Sequence, residues 1–202
     1  MKGGNDDLHQ DAIMQQIFQQ VDGVMQRNRE TRRRRMRIRT YRVIPLTPKT
    51  GVIEWVLDTI PIADYLERTH TRVYPTDWKW SVCRAKIHDA AQLDFNGRLR
   101  AYQDVCFHFK PVLRYFFLEN FRDPDSWFSK RVTYSRSVAA SSMIGHVLGL
   151  GDRHGQNILL DKMTGEVVHI DLGIAFEQVV SLVGPTYWRA NYSRFPRLSP
   201  LG

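Results

Sequence analysis

The sequence predicts an α+β fold, arranged as one large domain or two small lobes, and three observations lead there. The chain has 202 residues, 43% of them apolar, which is enough to bury a real core. Apolar residues recur at helical spacing near the start of the chain and again past its middle. Between and after these stretches lie short β-branched or alternating runs bounded by proline, glycine and asparagine, as in paired strands.

The elements follow in order. "DDLHQDAIMQQIFQQVDGVMQRN" places Leu8, Ile13, Ile17, Val21 and Val24 at helical spacing after an acidic start, so a helix is expected over about 7–27. "MRIRTYRVIPL" reads as a strand carrying Met36, Ile38, Thr40, Val43 and Ile44, with arginines on its outer face. "PLTPKTG" is a hairpin-like loop to a second strand, Val52 to Val56, followed by a turn at Pro61 and a short helix. Residues 71–97 read as irregular, with room for one helix. Residues 98–120 place Val105, Phe109, Val112, Phe116 and Phe117 on a buried helix interrupted near Pro111. A further helix follows, whose small residues Ala139 to Ser142 allow close packing and which Gly149 and Gly151 end. "NILL" and "VVHI" are two short strands joined by "DKMTGE", with Gly165 near the end of the turn.

Composition narrows the function classes. Cys83 and Cys106 stand 23 apart, with neither a C-x-x-C nor a His-rich context, which argues against a disulfide framework or a zinc site. No apolar run approaches the roughly 18 residues of a membrane span, and "MKGGNDDLHQ" lacks the apolar core of a signal peptide, so a soluble, intracellular protein is expected. The net charge of +8 is concentrated between Arg27 and Arg42, where nine arginines face one glutamate. Such a block can contact nucleic acid or serve nuclear import. The plainer reading, adopted here, is a solvated turn that ends the helix and runs into the strand.

Chemistry concentrates in "GDRHGQNILL" and the "HIDLG" that follows it. The first holds Asp152, His154 and Asn157, and the second adds Asp171 at the exit of a strand, where hairpin geometry can bring it close to Asn157. Asn157 and Asp171 make a hard oxygen site suited to magnesium, which completes its shell with water and phosphate. Asp152 is placed to take or orient the proton of an attacking hydroxyl, and His154 to share that role or donate to a phosphate oxygen. Each residue alone has an ordinary structural use as a turn cap or a buried histidine. All four, ordered on one hairpin, fit phosphoryl transfer from a metal-bound nucleotide.

"GLGDRHGQNILL" with "HIDLGIAFE" resembles the catalytic loop and metal-binding segment of the phosphatidylinositol 3-kinase-related protein kinases. "KGGNDDLHQDAIMQQIF" resembles that family's lysine-to-helix segment, and "RTYRVIPLTPKTGVIEWV" its strand and hinge. Among the subfamilies, "SRSVAASSMIGHVLGLGDRH" and "HIDLGIAFEQ" are most similar to the ataxia-telangiectasia mutated type and its fungal telomere-maintenance relatives. The similarity runs over about residues 1–178. It implies a two-lobed protein-kinase-like fold of the PI3/PI4-kinase type, incomplete at both ends. Residues 1–56 would be a partial N-lobe and 57–178 the C-lobe, with catalytic loop 149–160 and metal-binding segment 169–175.

Carried across by position, the resemblance makes Lys2 the lysine on the nucleotide phosphates and Asp6 or Asp11 the acid that holds it. Trp55 would lie against the adenine, the backbone of Val56 would bond it as the hinge, and Tyr41 would line the same pocket. Asp152 and His154 would serve the attacking hydroxyl, and Asn157 and Asp171 the magnesium, with manganese as a substitute. His9 departs from the arginine usual in "DDLRQD". The implied activity is transfer of the ATP γ-phosphate to Ser or Thr before Gln, in the nucleus, on protein substrates and with DNA-damage sensor proteins as partners. A lipid kinase, or an inert fragment that binds partners or nucleic acid through Arg27–Arg42, stays open at this point. Met1 immediately before Lys2, and the unmatched tail 179–202, lead to the expectation of a truncated or misassembled gene product that is inactive when expressed alone.

Overall fold

The computed structural model of the protein describes the backbone of residues 2–3, and residues 8–47 and 50–175 with their side chains. The first helix forms as the spacing predicts, as α1, Leu8–Arg27. Its buried face is more polar than the pattern implied. Leu8, Met14 and Phe18 are buried, but so are Asp11 and Gln15, whereas Ile13 and Val24 are exposed. The reason lies in the neighbours. Asp11 Oδ1 accepts the backbone N–H of Leu172 (2.7 Å) and Gln15 Oε1 that of Tyr41 (3.1 Å), so the inner stripe of α1 supplies acceptors to buried amides.

A short helix α2, Arg29–Arg33, is capped by Asn28, whose Oδ1 accepts from Glu30 N (3.0 Å) and Thr31 N (3.3 Å). The predicted strand through Met36–Ile44 begins late, as β2, Val43–Thr47. Upstream of it, side chains capture the N–H groups a ladder would use: Ile38 N donates to Asp22 Oδ1 (3.0 Å) and Tyr41 N to Gln15. The second strand is also displaced. It is β3, Thr50–Ile53, antiparallel to β2 with Ile44 opposite Val52, so Trp55 and Val56 lie beyond the sheet. Lys2–Gly3 forms β1 on the other edge of β3, with Lys2 opposite Gly51, giving the order β1-β3-β2. The backbone of Lys2 therefore has a ladder partner downstream, in Gly51.

A second antiparallel sheet follows the order β4-β5-β6, with β4 at Thr59–Pro61, β5 at Ile158–Asp161 and β6 at Val167–His169. The sequence showed β5 and β6 as a hairpin but gave no sign of β4. Its partner is remote, Ile60 standing opposite Leu160. Helix α3, Ile62–Val73, leaves β4 directly. The stretch read as irregular with room for one helix holds α4, Trp80–Asp89, and a 3₁₀ turn, Ala90–Gln92.

The aromatic stretch after it is broken near Pro111 as predicted, into α5, Phe95–His108, and α6, Leu113–Asn120. Burial was predicted too broadly. Helix α5 has no buried residue, and Phe95, Tyr102 and Phe107 face outward. Phe116 and Phe117 of α6 are buried, with Phe121, Leu160 and Val167. Helix α7, Pro124–Val147, starts on an Asp123 cap, Oδ2 accepting from Ser126 N at 2.9 Å. Its small residues Ser137, Ala140, Ser141 and Gly145 are buried, and β6 approaches closely enough for Val167 N to donate to Ser137 Oγ at 3.1 Å. Met14 and Phe18 of α1 pack with Ile38, Ala140, Leu150, Leu172 and Ala175, so one core joins the first helix to the loop after α7. Among the described residues no helix is long and apolar enough to cross a membrane.

Candidate functional site

Helix α7 stops in a turn that aims the next residues at the second sheet. Gly149 N donates to His146 O (3.2 Å) and Leu150 N to Gly145 O (2.8 Å), a Schellman arrangement in which Gly149 takes φ 59°. Gly155 then touches the start of α3. A Cβ there would come within 2.9 Å of the Ala63 Cβ, and Ala63 N donates to Gly155 O at 3.0 Å, so only glycine lets the loop lie so close.

Asp152, His154 and Asn157 come together inside this loop. The Asn157 Nδ2 donates to Asp152 O at 3.1 Å and lies 3.5 Å from its Oδ2. Gln156 N donates to His154 Nδ1 (3.2 Å), which leaves the proton of the neutral ring on Nε2. That nitrogen faces Asp152 Oδ2 at 3.8 Å, beyond hydrogen-bond length. Both side chains are about half exposed, as groups that meet a substrate must be. Asp152 (φ 52°) and Asp171 (φ 55°) both adopt left-handed backbone, a strain of the kind that clusters at functional sites.

Arg153 ties the loop to the segment bearing Asp171. Its guanidinium donates to Gly151 O (2.7 Å), Asn157 O (3.4 Å) and Ile170 O (2.8 Å), and also to Asp171 O. Burial pulls this guanidinium below its ordinary value, while Asp152 and Asp171 pull it back up. Backbone bonds reinforce the tie, with Ile170 N donating to Asn157 O (3.1 Å) and Gly151 N to Ile174 O (2.9 Å). Sequence reasoning passed over Arg153, the middle residue of "DRH". An arginine among glycines signals exposure, and nothing local shows that carbonyls from two segments converge on it.

The nucleotide-side candidates are placed as follows. Tyr41 is buried between Asp11 and Asp171. Burial and the Asp11 charge push its hydroxyl up to about 12, against a hydrogen bond with the Asp171 backbone. Val56 packs with the cluster of Tyr41, Leu159 and Val168, and its carbonyl accepts from Thr59 Oγ1 at 2.9 Å. Trp55 is 84% exposed, so it is not a core tryptophan. Asp6 and the Lys2 side chain lie outside the described residues.

The donor set fits a magnesium ion that arrives with phosphate. With Nδ2 of Asn157 committed to Asp152, the remaining polar atom of the amide is Oδ1, a hard acceptor, and Asp171 supplies a carboxylate. Among the described residues no group of three or more His, Cys, Asp or Glu side chains could hold a metal, so an all-protein cage is not built here. Few protein oxygens are what a phosphate-bridged magnesium needs.

His169, on β6 two residues before Asp171, is buried with Nδ1 unpartnered. Burial first, and Arg153 second, lower it from 6.5 to about 3, so it is neutral in the fold. The unfolded chain takes up this proton below about pH 6.5 and the folded chain does not. Stability is therefore complete above that value and falls as pH drops toward 3, by up to ~1.4 kcal/mol per pH unit. Urea unfolding at pH 7.5 and pH 5 is expected to differ by about 2 kcal/mol from this group alone. His169→Gln is expected to flatten that difference. An equal pH dependence in the variant would show that another group is responsible.

The profile of the family "Phosphatidylinositol 3- and 4-kinase" matches residues 1–187. The chain is 59% identical over 177 residues to "Serine/threonine-protein kinase tel1" of Aspergillus oryzae, covering 88% of this chain and 6% of that protein. It is 52% identical over 190 residues to "Serine/threonine-protein kinase ATM" of Arabidopsis thaliana, covering 91% of this chain and 5% of that protein. Among solved structures, "FAT and kinase domain of CtTel1" superposes with a TM-score of 0.81 at 58% identity, covering 87% of this chain and 12% of that one. The chain thus spans about a twentieth of the length of these two curated relatives. It has the kinase fold that the motifs implied, and it belongs to the phosphatidylinositol 3- and 4-kinase family.

Proposed function

We propose that the protein containing this chain is a serine/threonine protein kinase that transfers the γ-phosphate of ATP to Ser or Thr, with Gln next in the substrate. The observation that carries the reading is that Arg153, through backbone carbonyls, ties the loop bearing Asp152 and Asn157 to the segment bearing Asp171. Asp152 takes or orients the proton of the substrate hydroxyl, half exposed and next to a histidine whose Nε2 carries a proton. His154 then donates to that hydroxyl or to a phosphate oxygen. Asn157 Oδ1 and the Asp171 carboxylate hold the magnesium, for which manganese substitutes. When bound, the ion neutralises charge on the transferring phosphate. Lys2, with Asp6 or Asp11, steadies the phosphates, Trp55 covers the adenine, the Val56 backbone bonds it, and Tyr41 closes the inner wall.

Names of relatives at 52% and 59% identity support protein over lipid as acceptor. The same resemblance supports a nuclear role in checkpoint and telomere-maintenance signalling, with DNA-damage sensor proteins as partners. The test is a transfer assay on the full-length protein with magnesium and ATP, offering a Ser-Gln peptide, its Ala-Gln counterpart and phosphatidylinositol vesicles. Phosphate on the Ser-Gln peptide alone is expected. Label on the lipid and none on peptide would overturn the reading.

Trp55 offers a second check. Because it is exposed, Trp55→Ala is expected to leave the melting temperature within a degree or so, and to weaken ATP binding by about 1–3 kcal/mol, the range for a base stacked on an aromatic ring. Tryptophan fluorescence with ATP measures it. Unchanged affinity would remove Trp55 from the adenine pocket.

A further inference from the structure

The Arg-rich segment and α7 enclose a cleft of 510 Å³ whose lining includes none of the candidate site residues. Four arginines line it: Arg32 of α2, Arg35 and Arg37 of the turn beyond, and Arg136 of α7. The lining also holds the carboxylate of Glu166, whose Oε2 accepts from Arg39 Nη1 (3.3 Å) and Thr164 Oγ1 (3.0 Å). Arg37 reaches Asp22 at 3.7 Å and stays largely exposed. Among the described residues no carboxylate lies within ion-pair distance of Arg32, Arg35 or Arg136. Like charges gathered on one cleft repel each other, and of the four only Arg37 has an ion pair, with Asp22, to offset this among the described residues.

The backbone makes the same point independently. Helix α2 ends in a Schellman motif: Arg35 N donates to Arg32 O (2.9 Å) and Met36 N to Thr31 O (3.0 Å), and Arg35 takes φ 52°. At the end of α7 the corresponding position is Gly149, φ 59°, as the motif prefers. An arginine there costs the fold strain that glycine would avoid, and the strained residue projects one of the four lining cations.

We propose that this cleft binds a small ligand bearing several phosphate groups. Guanidinium forks match phosphate oxygens two at a time, and four converge here from two separate stretches of chain. The hydroxyls of Ser129 and Thr133 donate inward to the carbonyls of Ser126 (2.9 Å) and Ser129 (3.0 Å), so the donors of the cleft are its guanidinium groups, and Phe128 gives an apolar wall for the ligand's scaffold. The volume is that of a small-molecule pocket. Nucleic acid would instead meet a stripe of cations along an open face. The site is separate from the nucleotide pocket and does not depend on the kinase reading.

Calorimetric titration of the full-length protein with sodium tripolyphosphate, in the presence of saturating magnesium and a non-hydrolysable ATP analogue, tests it. One site is expected, weakening as salt rises. Arg35→Gly and Arg136→Gln are each expected to lower its affinity by about tenfold or more, the loss of a charge-assisted hydrogen bond. Arg35→Gly is also expected to keep or raise the melting temperature, since it relieves the left-handed strain. Arg100→Gln, an exposed arginine on α5, should change nothing. Three outcomes overturn the proposal: no binding beside the ATP analogue, equal affinity in the parent and both cleft variants, or tighter cleft binding of an oligoglutamate peptide or duplex DNA than of tripolyphosphate.

Discussion

Asp171→Asn in the full-length protein is expected to cut phosphoryl transfer by at least about a thousandfold, because a magnesium ligand worth several kcal/mol loses its charge. Magnesium-dependent ATP affinity should fall with it. Asp152→Asn is expected to lower kcat by about 10²–10⁴-fold, the usual contribution of a general base, while ATP affinity stays near the parent value. Asparagine is the informative replacement at both positions. It tolerates the left-handed backbone of Asp152 and Asp171, whereas alanine would add about 1–2 kcal/mol of strain and blur the result with unfolding. Equilibrium ATP binding and single-turnover transfer separate the two roles. If Asp152→Asn lost magnesium-ATP as completely as Asp171→Asn, the division into base and metal ligand would be wrong.

Arg153 should show the other large effect. Its removal as Arg153→Ala leaves the carbonyls of Gly151, Asn157, Ile170 and Asp171 without their shared donor in a partly buried setting. At about 1–3 kcal/mol for each group left truly unsatisfied, a loss of roughly 3–5 kcal/mol is expected once some carbonyls find water. Arg153→Lys retains a charge but not the planar fork, and an ammonium cannot reach acceptors spread over two segments. It is expected to recover less than half of the stability and little of the transfer rate. Denaturant unfolding with a parallel transfer assay measures both. A fully stable, fully active Arg153→Lys protein would show that the tie is dispensable.

Much of the site was legible because its residues lie close in sequence. Asp152, His154 and Asn157 fit within one loop, and a strand, a tight turn and a second strand return the chain to Asp171. Periodicity likewise revealed α1, and the glycine pair revealed the end of α7. The failures share a cause. Residues 36–42 look like a strand, yet their amides are taken by Asp22 and Gln15 of α1, acceptors that local pattern does not count. The aromatics of α5 look like core, yet α5 rests mainly on α4 and leaves Phe95 and Phe107 outside. Arg39, read as an outer-face arginine, instead bridges Asp161 (3.2 Å) and Glu166 (3.3 Å) at the turn between β5 and β6.

By itself the sequence determined the candidate groups: two carboxylates, an amide and an imidazole that ride on a helix end and a hairpin. Such placements are relations among near neighbours, set by turn residues and short-range hydrogen bonds. Only the tertiary structure decided what holds them. It is the folded chain that pairs Ile60 with Leu160, brings Asp11 to the amide of Leu172, draws Arg153 under two separated segments, and sets Arg136 opposite the arginines of α2 and its turn. Such contacts join residues far apart along the chain. Their energy comes from burial and from satisfying backbone groups that are exposed to water until the fold closes, so no local pattern announces them.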